Sequence, residues 1–259
     1  MAEPVIARPS ATVMIARDGR DGLEIFMVAR DRQVDFASGA VVFPGGKVDP
    51  DDHAETWAPA ARALPVNGPE SQYWIAAVRE TFEESGLLIA ERAGGGRLSA
   101  SDVAEIGAAH RGRILDGSLK FSAFAQSLDL VPAFGEMVHF AYWVTPVTMP
   151  KRFETHFFLV HAPEDHVATH DGQEAVRSFW VSPREIVAEA DAGKQVLVPA
   201  TRANLELLSE SATVADALAA ARQRAIVPVM PVVEKADGGI VIKIRDDAGY
   251  RNTSFFVKR

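Results

Sequence analysis

The stretch from Ser71 to Leu87 limits most tightly how this chain can fold. At about 100° per residue, Trp74, Ile75, Val78 and Phe82 fall on one side of a helix, and Glu80, Glu83 and Glu84 fall on the other. The apolar stripe is the ordinary face of a helix laid on a core. The acidic stripe is not ordinary. Glutamates at i, i+3 and i+4 repel one another by roughly 0.2–0.5 kcal/mol per pair on an isolated helix. They also crowd the C-terminal turn, where the helix dipole disfavours negative charge. Gly86 suits the position after the helix, with Leu87 placed to fold back on it. A divalent cation at the glutamate triad would relieve both penalties.

The chain has 259 residues, 47% of them hydrophobic, enough for one sizeable core. No apolar run reaches the length of a membrane span. The start, Met1-Ala2-Glu3-Pro4, lacks the regions of a signal peptide, and Val257-Lys258-Arg259 is not a peroxisomal or ER-retention tail. The absence of cysteine excludes disulfides, thiolate zinc sites and cysteine nucleophiles, and makes a reducing cytoplasm the expected compartment. A net charge of −8 argues against broad nucleic-acid binding. It leaves room for an anionic small substrate, because a metal and a few local cations can reverse the field of one cleft.

Ala11–Ala16 and Leu23–Ala29 read as strands around a turn, and Val41–Phe43 as a short third strand ended by Pro44-Gly45-Gly46. Residues 50–70 read as an irregular insertion with one short helical stretch. Ser101 to about Leu130 has helical patterning broken at Gly112 and Gly117, and Ser101-Asp102-Val103-Ala104-Glu105 begins like a capped helix. Met137–Val144, Phe153–Val160 and Ala175–Val181 are further strands. Ser182-Pro183-Arg184-Glu185 opens a helix with Ser182 as N-cap. Pro199–Leu208 and Val214–Arg224 are helices, and Ile240–Ile244 with Ser254–Val257 suit a closing hairpin. The pattern implies α/β layering in one domain over 1–259.

Gly46 followed by Arg79-Glu80-Thr81-Phe82-Glu83-Glu84-Ser85-Gly86-Leu87 resembles a Nudix box, whose usual form is G-x5-E-x7-R-E-U-x-E-E-x-G-U with U aliphatic. Thr81 replaces the first U. The box is interrupted: counted from Asp52, the gap to Arg79 is 19 residues longer than in that pattern. Asp52 and Glu70 both qualify for the outer acid, which in the family pairs with the box arginine. An interruption here resembles the peroxisomal coenzyme A diphosphatase branch. So do Val42-Phe43-Pro44-Gly45-Gly46, Arg152-Phe153-Glu154-Thr155 before Phe157-Phe158-Leu159, and Leu197-Val198-Pro199-Ala200-Thr201.

The resemblance implies the Nudix α/β/α sandwich around a mixed β-sheet, with a helical insertion at about 98–130 and C-terminal helices and a hairpin at about 197–259. It implies hydrolysis of a nucleoside diphosphate linked to another group, with coenzyme A or an acyl-coenzyme A first among substrates. ADP-ribose, NADH and dinucleoside polyphosphates are the alternatives, and a non-catalytic binding module is the rival of another class. Transferred to this chain, Glu83 and Glu84 become ligands of Mg²⁺ or Mn²⁺, and the Gly45 carbonyl a further one. Glu80 becomes a ligand or the base. Gly46, Arg79 and Gly86 hold the structure. Hard oxygen donors suit these ions, and such ions neutralise a diphosphate and acidify bound water. Dimers are frequent in this superfamily, so a homodimer is open; neither nucleic acid nor membrane is expected as a partner.

Glu174 lies in the loop before the strand bearing Trp180, and the resemblance implies another metal ligand or base there; the alternative is an exposed loop acid. Lys47 reads equally as a phosphate contact and as a surface lysine. Coenzyme A hydrolases often carry an arginine ahead of the Phe-Pro-Gly-Gly motif, where this chain has Asp35; Arg30 and Arg32 are the candidate substitutes. His156, His161, His166 and His170 lack a zinc spacing. Phe140, Tyr142, Trp143, Phe157 and Phe158 read as core.

Overall fold

The computed structural model describes residues 5–30, 39–53, 55–57, 60, 64–65, 68–162, 168 and 175–258. In chain order the first elements are β1 (Arg8–Gly19), β2 (Gly22–Arg30), β3 (Val41–Val42), β4 (Gly45–Lys47), two 3₁₀ turns (Pro50–His53 and Glu55–Trp57) and α1 (Ser71–Ser85). There follow β5 (Ala90–Arg92), α2 (Ala100–Ile106), a π-helical turn (Gly107–Arg111), α3 (Gly112–Leu115), α4 (Phe121–Ser127) and β6 (Leu130–Pro132). The last third holds β7 (Met137–Val144), β8 (Phe153–His161), β9 (Ala175–Val181), α5 (Pro183–Asp191), α6 (Pro199–Leu208), α7 (Val214–Gln223), β10 (Val232–Ala236), β11 (Gly239–Lys243) and β12 (Ser254–Lys258).

The main sheet is mixed. The β1–β2 hairpin is paired from Ala16 opposite Ile25 to Gly19 opposite Gly22, and then the two strands part. The segment from β3 to β4 fills the gap, β3 against β2 and β4 against β1. β8 runs parallel to β1 on its other side, β7 is antiparallel to β8, and β9 is antiparallel to the outer edge of β2. The parting of β1 and β2 therefore seats Pro44-Gly45-Gly46 within the sheet.

Period-2 alternation feeds two cores. Val13 and Ile15 of β1, Phe26 and Val28 of β2, and Phe158 and Val160 of β8 face α1 and the helical stretch after it. Met14, Ile25, Met27 and Leu159 face α5, α6, α7 and the C-terminal strands. The result is helix, sheet, helix, as the resemblance implied. The expected aromatics serve largely as core: Phe140, Trp143, Phe157 and Phe158 are buried, and Tyr142 is half-buried.

Helix α1 matches its expected span, and Gly86 closes it in the left-handed region (φ 74°), its amide bonding Phe82 O at 2.9 Å. Its surroundings differ from those of a surface helix. Trp74, Ile75, Val78 and Phe82 are fully buried on the sheet side, but Arg79, Glu80, Thr81 and Ser85 are buried too. The helical insertion covers its C-terminal turns, with Phe82 stacked on Phe124 at 5.4 Å and Arg111 bonded to Glu83 O. Thr81 tolerates its dry position because its hydroxyl donates to Ala77 O at 2.7 Å.

Several local expectations need correction. The cap of the insertion helix is Ser99, not Ser101: its Oγ accepts from the Asp102 amide, and Asp102 returns the bond to the Ser99 amide. Gly112 does not break the run, since its backbone is right-handed helical, whereas Gly117 (φ 75°) does. The closing hairpin gains a third strand, because β10 pairs with β11 on the edge away from β12. The insertion after β4 shows 3₁₀ turns. Asp51 in the first of them accepts from the Ser122 amide (2.9 Å) and hydroxyl (2.6 Å), which caps α4 from a distance in sequence.

Of the four histidines without a zinc spacing, His156 and His161 fall within the described residues, and His166 and His170 fall outside them. His156 lies with His139 of β7, Nδ1 to Nε2 at 3.0 Å, while His161 is exposed. Tyr73 and Tyr142 flank His156 at 4.2 Å each, and the Tyr73 hydroxyl donates to Glu154. Burial pulls His139 down to about 4 and His156 down to about 3, the latter helped by His139. Both are neutral in the fold and bind protons more readily when unfolded. Their contribution to stability should therefore fall as pH drops below their ordinary value of 6.5 and level off only near 3–4, while Glu80, raised to about 8, contributes in the opposite direction. In thermal melts from pH 7.5 to 4.5, the melting temperature of the native chain minus that of His139→Gln should therefore decrease as the pH falls.

Candidate active site

The site begins with one buried guanidinium. Arg79 is 4% exposed and has five N–H donors in a fixed fork. Nε donates to Asp52 Oδ1 at 3.0 Å, and Nη2 donates to Asp52 Oδ2 at 2.9 Å and to Lys47 O at 2.8 Å. Nη1 donates to Glu80 Oε1 at 2.9 Å and Glu83 Oε2 at 3.0 Å. All five donors are satisfied. The outer acid of the box is thus Asp52, itself 1% exposed and receiving the Asp49 amide at 2.8 Å. Glu70 stands exposed at the start of α1 with no side-chain cap bond.

The glycine turn and the helix end meet closely. A Cβ on Gly46 would fall far inside contact distance of the Glu80 carboxylate, so a larger residue here would push that carboxylate out of its place on Arg79. The Gly45 amide donates to Glu84 Oε2 at 2.9 Å. Part of the relief that the glutamate stripe called for is therefore supplied by Arg79 and by one backbone amide. It is incomplete: Asp52, Glu80 and Glu83 share a single arginine. Burial pushes Glu80 up to about 8, with Arg79 opposing and Glu83 adding to the rise. Burial also pushes Asp52 and Glu83 up against the pull of Arg79. Burial would lower Arg79, but the carboxylates outweigh it and hold it well above its ordinary range.

Among the described residues, no three acidic or imidazole side chains are arranged to hold a metal ion as they stand. The donor set nevertheless fits a hard divalent cation. Arg79 engages Glu80 through Oε1 and Glu83 through Oε2 only, so the second oxygen of each is not taken by it. Glu83 keeps a side-chain exposure of 16% toward the cleft.

That cleft, of about 1120 Å³, is lined at this end by Glu80, Glu83, Glu84, Gly45 and Gly46. Lys47 and Arg30 line it, along with Arg8, Lys151 and Arg152, which the residue pattern did not single out as site residues. No periodic or spacing signal marks them; the parallel pairing of β1 with β8 brings Arg8 beside Phe153. Arg111 was also missed. It lies in the π-helical turn, and its Nε donates to Glu83 O at 2.9 Å, a cation on the last turn of α1. Arg32, Asp35 and Glu174 lie outside the described residues.

A mixed sheet with a glycine turn wedged between its first two strands, facing an arginine-locked acidic helix, defines the Nudix class. The profile of the NUDT19 Nudix domain matches residues 59–206, and the chain belongs to that family of Nudix hydrolases. It is 27% identical over 203 residues to putative nudix hydrolase 7 of Caenorhabditis elegans, covering 78% of this chain and 61% of that one. It is 28% identical over 210 residues to acyl-coenzyme A diphosphatase NUDT19 of Gallus gallus, covering 63% of this chain and 55% of that one. The chain spans about three fifths of the length of these relatives. A crystal structure of a Nudix hydrolase from Alicyclobacillus acidocaldarius superposes with a TM-score of 0.66 at 27% identity, covering 83% of this chain and 96% of that one.

Removing Asp52 would leave Arg79 buried with unpaired donors, so Asp52→Ala should cost about 3–5 kcal/mol in denaturant unfolding. Glu70→Ala, at an exposed site without a cap bond, should stay within about 0.5 kcal/mol. Equal losses would overturn the assignment of Asp52 as the partner of Arg79.

Proposed function

We propose that the chain hydrolyses the diphosphate of coenzyme A or an acyl-coenzyme A with Mg²⁺ or Mn²⁺, giving 3′,5′-ADP and phosphopantetheine or its acyl form. The observation that carries this reading is the composition of one cleft. It holds the acidic end of α1 together with five cations that are not the buried Arg79: Arg8, Arg30, Lys47, Lys151 and Arg152. A chain of net charge −8 thus concentrates positive side chains where a polyanion would lie. The kinship with an acyl-coenzyme A diphosphatase supports the choice of substrate.

Glu83, Glu84 and Glu80 would hold the cation, with the Gly45 carbonyl beside them. What the cation supplies when bound is charge neutralisation and a lowered pKa for water. The chain's own residues do the rest. Arg79 fixes Glu80 and Glu83 so that they need not reorganise. Lys47 and Arg30 bind phosphate oxygens and orient the phosphorus for in-line attack. Water oxygen bonds to phosphorus as the bridging P–O bond breaks; the bridging oxygen leaves on the second phosphate, and the water proton passes to Glu80 or Glu174. The family fold over one unit, a cytoplasmic setting and a small-molecule nucleotide as partner complete the reading.

ADP-ribose, NADH and dinucleoside polyphosphates remain the competing substrates of the same chemistry, favoured by Asp35 where an arginine is usual. A hydrolysis panel over these and coenzyme A, with Mn²⁺ and with Glu83→Gln as the blank, decides among them. The expected result is release of 3′,5′-ADP from coenzyme A. Intact coenzyme A alongside cleaved ADP-ribose or NADH would overturn it. Mn²⁺ should also raise the melting temperature of the native chain and not that of Glu83→Gln; no metal effect on either would favour a non-catalytic binding module.

A further inference from the structure

The helical insertion does more than cover α1. It runs without a break from Ala100 to Leu115, through α2, the π-helical turn and α3, and Leu115 lines the cleft. A π-turn holds more residues than an α-turn and is often found at functional sites. Here it brings two consecutive residues to two consecutive residues of α1. His110 lies on Phe124 at 5.5 Å, and Phe124 stacks on Phe82 at 5.4 Å. The next residue, Arg111, donates from Nε to the carbonyl of the next residue of α1, Glu83, at 2.9 Å.

The carbonyls of the last turn of a helix have no amide of a following turn to meet them. In α1 the Phe82 carbonyl is met by the Gly86 amide, and the Glu83 carbonyl by Arg111. Glu83 is also held by its side chain, where Arg79 Nη1 donates to Oε2 at 3.0 Å. One arginine thus fixes the carboxylate, and a second, from the insertion, fixes the main chain that carries it. Glu84 follows directly and receives the Gly45 amide. A turn that frayed at Glu83 would therefore shift both glutamates against the glycine turn. A displacement of about 1 Å is enough to spoil a site built on fixed geometry.

The bond and the charge of Arg111 act on a cation in opposite directions. The bond steadies the turn that presents the glutamates. The charge offsets the helix dipole but repels a divalent ion brought to the same turn. We propose that Arg111 is a positioning residue of the metal site: its bond to the Glu83 carbonyl holds the last turn of α1, so that the insertion sets how tightly the box glutamates take a divalent cation. This rests on the metal-dependent reading given above and not on the choice of substrate.

The test measures Mn²⁺ binding, without substrate, from the EPR signal of free Mn²⁺. It compares the native chain with Arg111→Met, Arg111→Gln and Arg113→Ala. Glutamine carries its amide nitrogen as many bonds from Cα as arginine carries Nε, so Arg111→Gln keeps the donor and removes the charge. Methionine keeps an unbranched stem, suits a half-buried position and removes both. Arg113 is exposed two residues further on and controls for the loss of a nearby charge. Arg111→Met should bind Mn²⁺ about tenfold more weakly than the native chain, the usual loss for an outer partner of a metal ligand. Arg111→Gln and Arg113→Ala should stay within about threefold of native or bind more tightly. Binding by Arg111→Met as tight as native or tighter overturns the inference, and so does an equal loss in Arg111→Gln or Arg113→Ala. A native chain that binds no Mn²⁺ overturns the metal reading and the inference with it.

Discussion

The buried guanidinium of Arg79 is the interaction on which the site's geometry depends. It ties three segments together: the Lys47 carbonyl at the end of the glycine turn, the 3₁₀ turn bearing Asp52, and its own helix through Glu80 and Glu83. Lysine could not do this. Its three donors radiate from one point, whereas the planar fork meets Asp52 on one edge and splits its remaining donors among three acceptors. Burying such a cluster carries a heavy desolvation penalty, offset only because every donor finds an acceptor. The cluster is thus weak evidence for extra stability and strong evidence for a fixed arrangement.

The sheet explains where that arrangement sits. Because β1 and β2 separate after four paired positions, the chain from Val41 to Lys47 enters between them and delivers Gly45 and Gly46 against the last turns of α1. The insertion that interrupts the box then packs as part of the same core. Asp51 caps α4, Trp57 stacks on Phe121 at 5.8 Å, and Phe124 stacks on Phe82. Asp51 and Trp57, from the stretch between Gly46 and Arg79, therefore lie against the helical stretch that covers α1.

Much of this was legible in the residues. The helix from Ser71 to Gly86, the alternating strands and the late helix opened by Pro199 follow from periodicity and end signals, which are local. What could not be read was decided at long range. Spacing alone left Asp52 and Glu70 level; a 3₁₀ turn at 50–53 points Asp52 at Arg79, while Glu70 is used up as a helix boundary. Gly112 looked like a breaker, yet helical backbone is open to glycine when neighbours hold it. The strand β10 is largely exposed and gives little alternation, so only its pairing with β11 reveals it. His156 found its partner in His139, on an adjacent strand, where no spacing rule applies.

The charge balance of the site links structure to chemistry. Three carboxylates share one arginine in a partly dry place; burial, with a smaller addition from Glu83, raises the pKa of Glu80 against the pull of Arg79. Folding tolerates this only because Arg79 binds a single oxygen of Glu80 and of Glu83, while Asp52 alone receives it through both. The result is an asymmetric division of labour. Asp52 gives both oxygens to the fork, one of them also receiving the Asp49 amide. Glu80 and Glu83 are oriented by the fork and yet retain an oxygen it does not occupy. A carboxylate aimed in this way loses little freedom when it takes up a further cation, so the penalty of ordering the site is met during folding instead of at each binding event. The electrostatic strain seen in the glutamate stripe is then not fully removed by the fold; the remainder is what gives a divalent cation its advantage at that place.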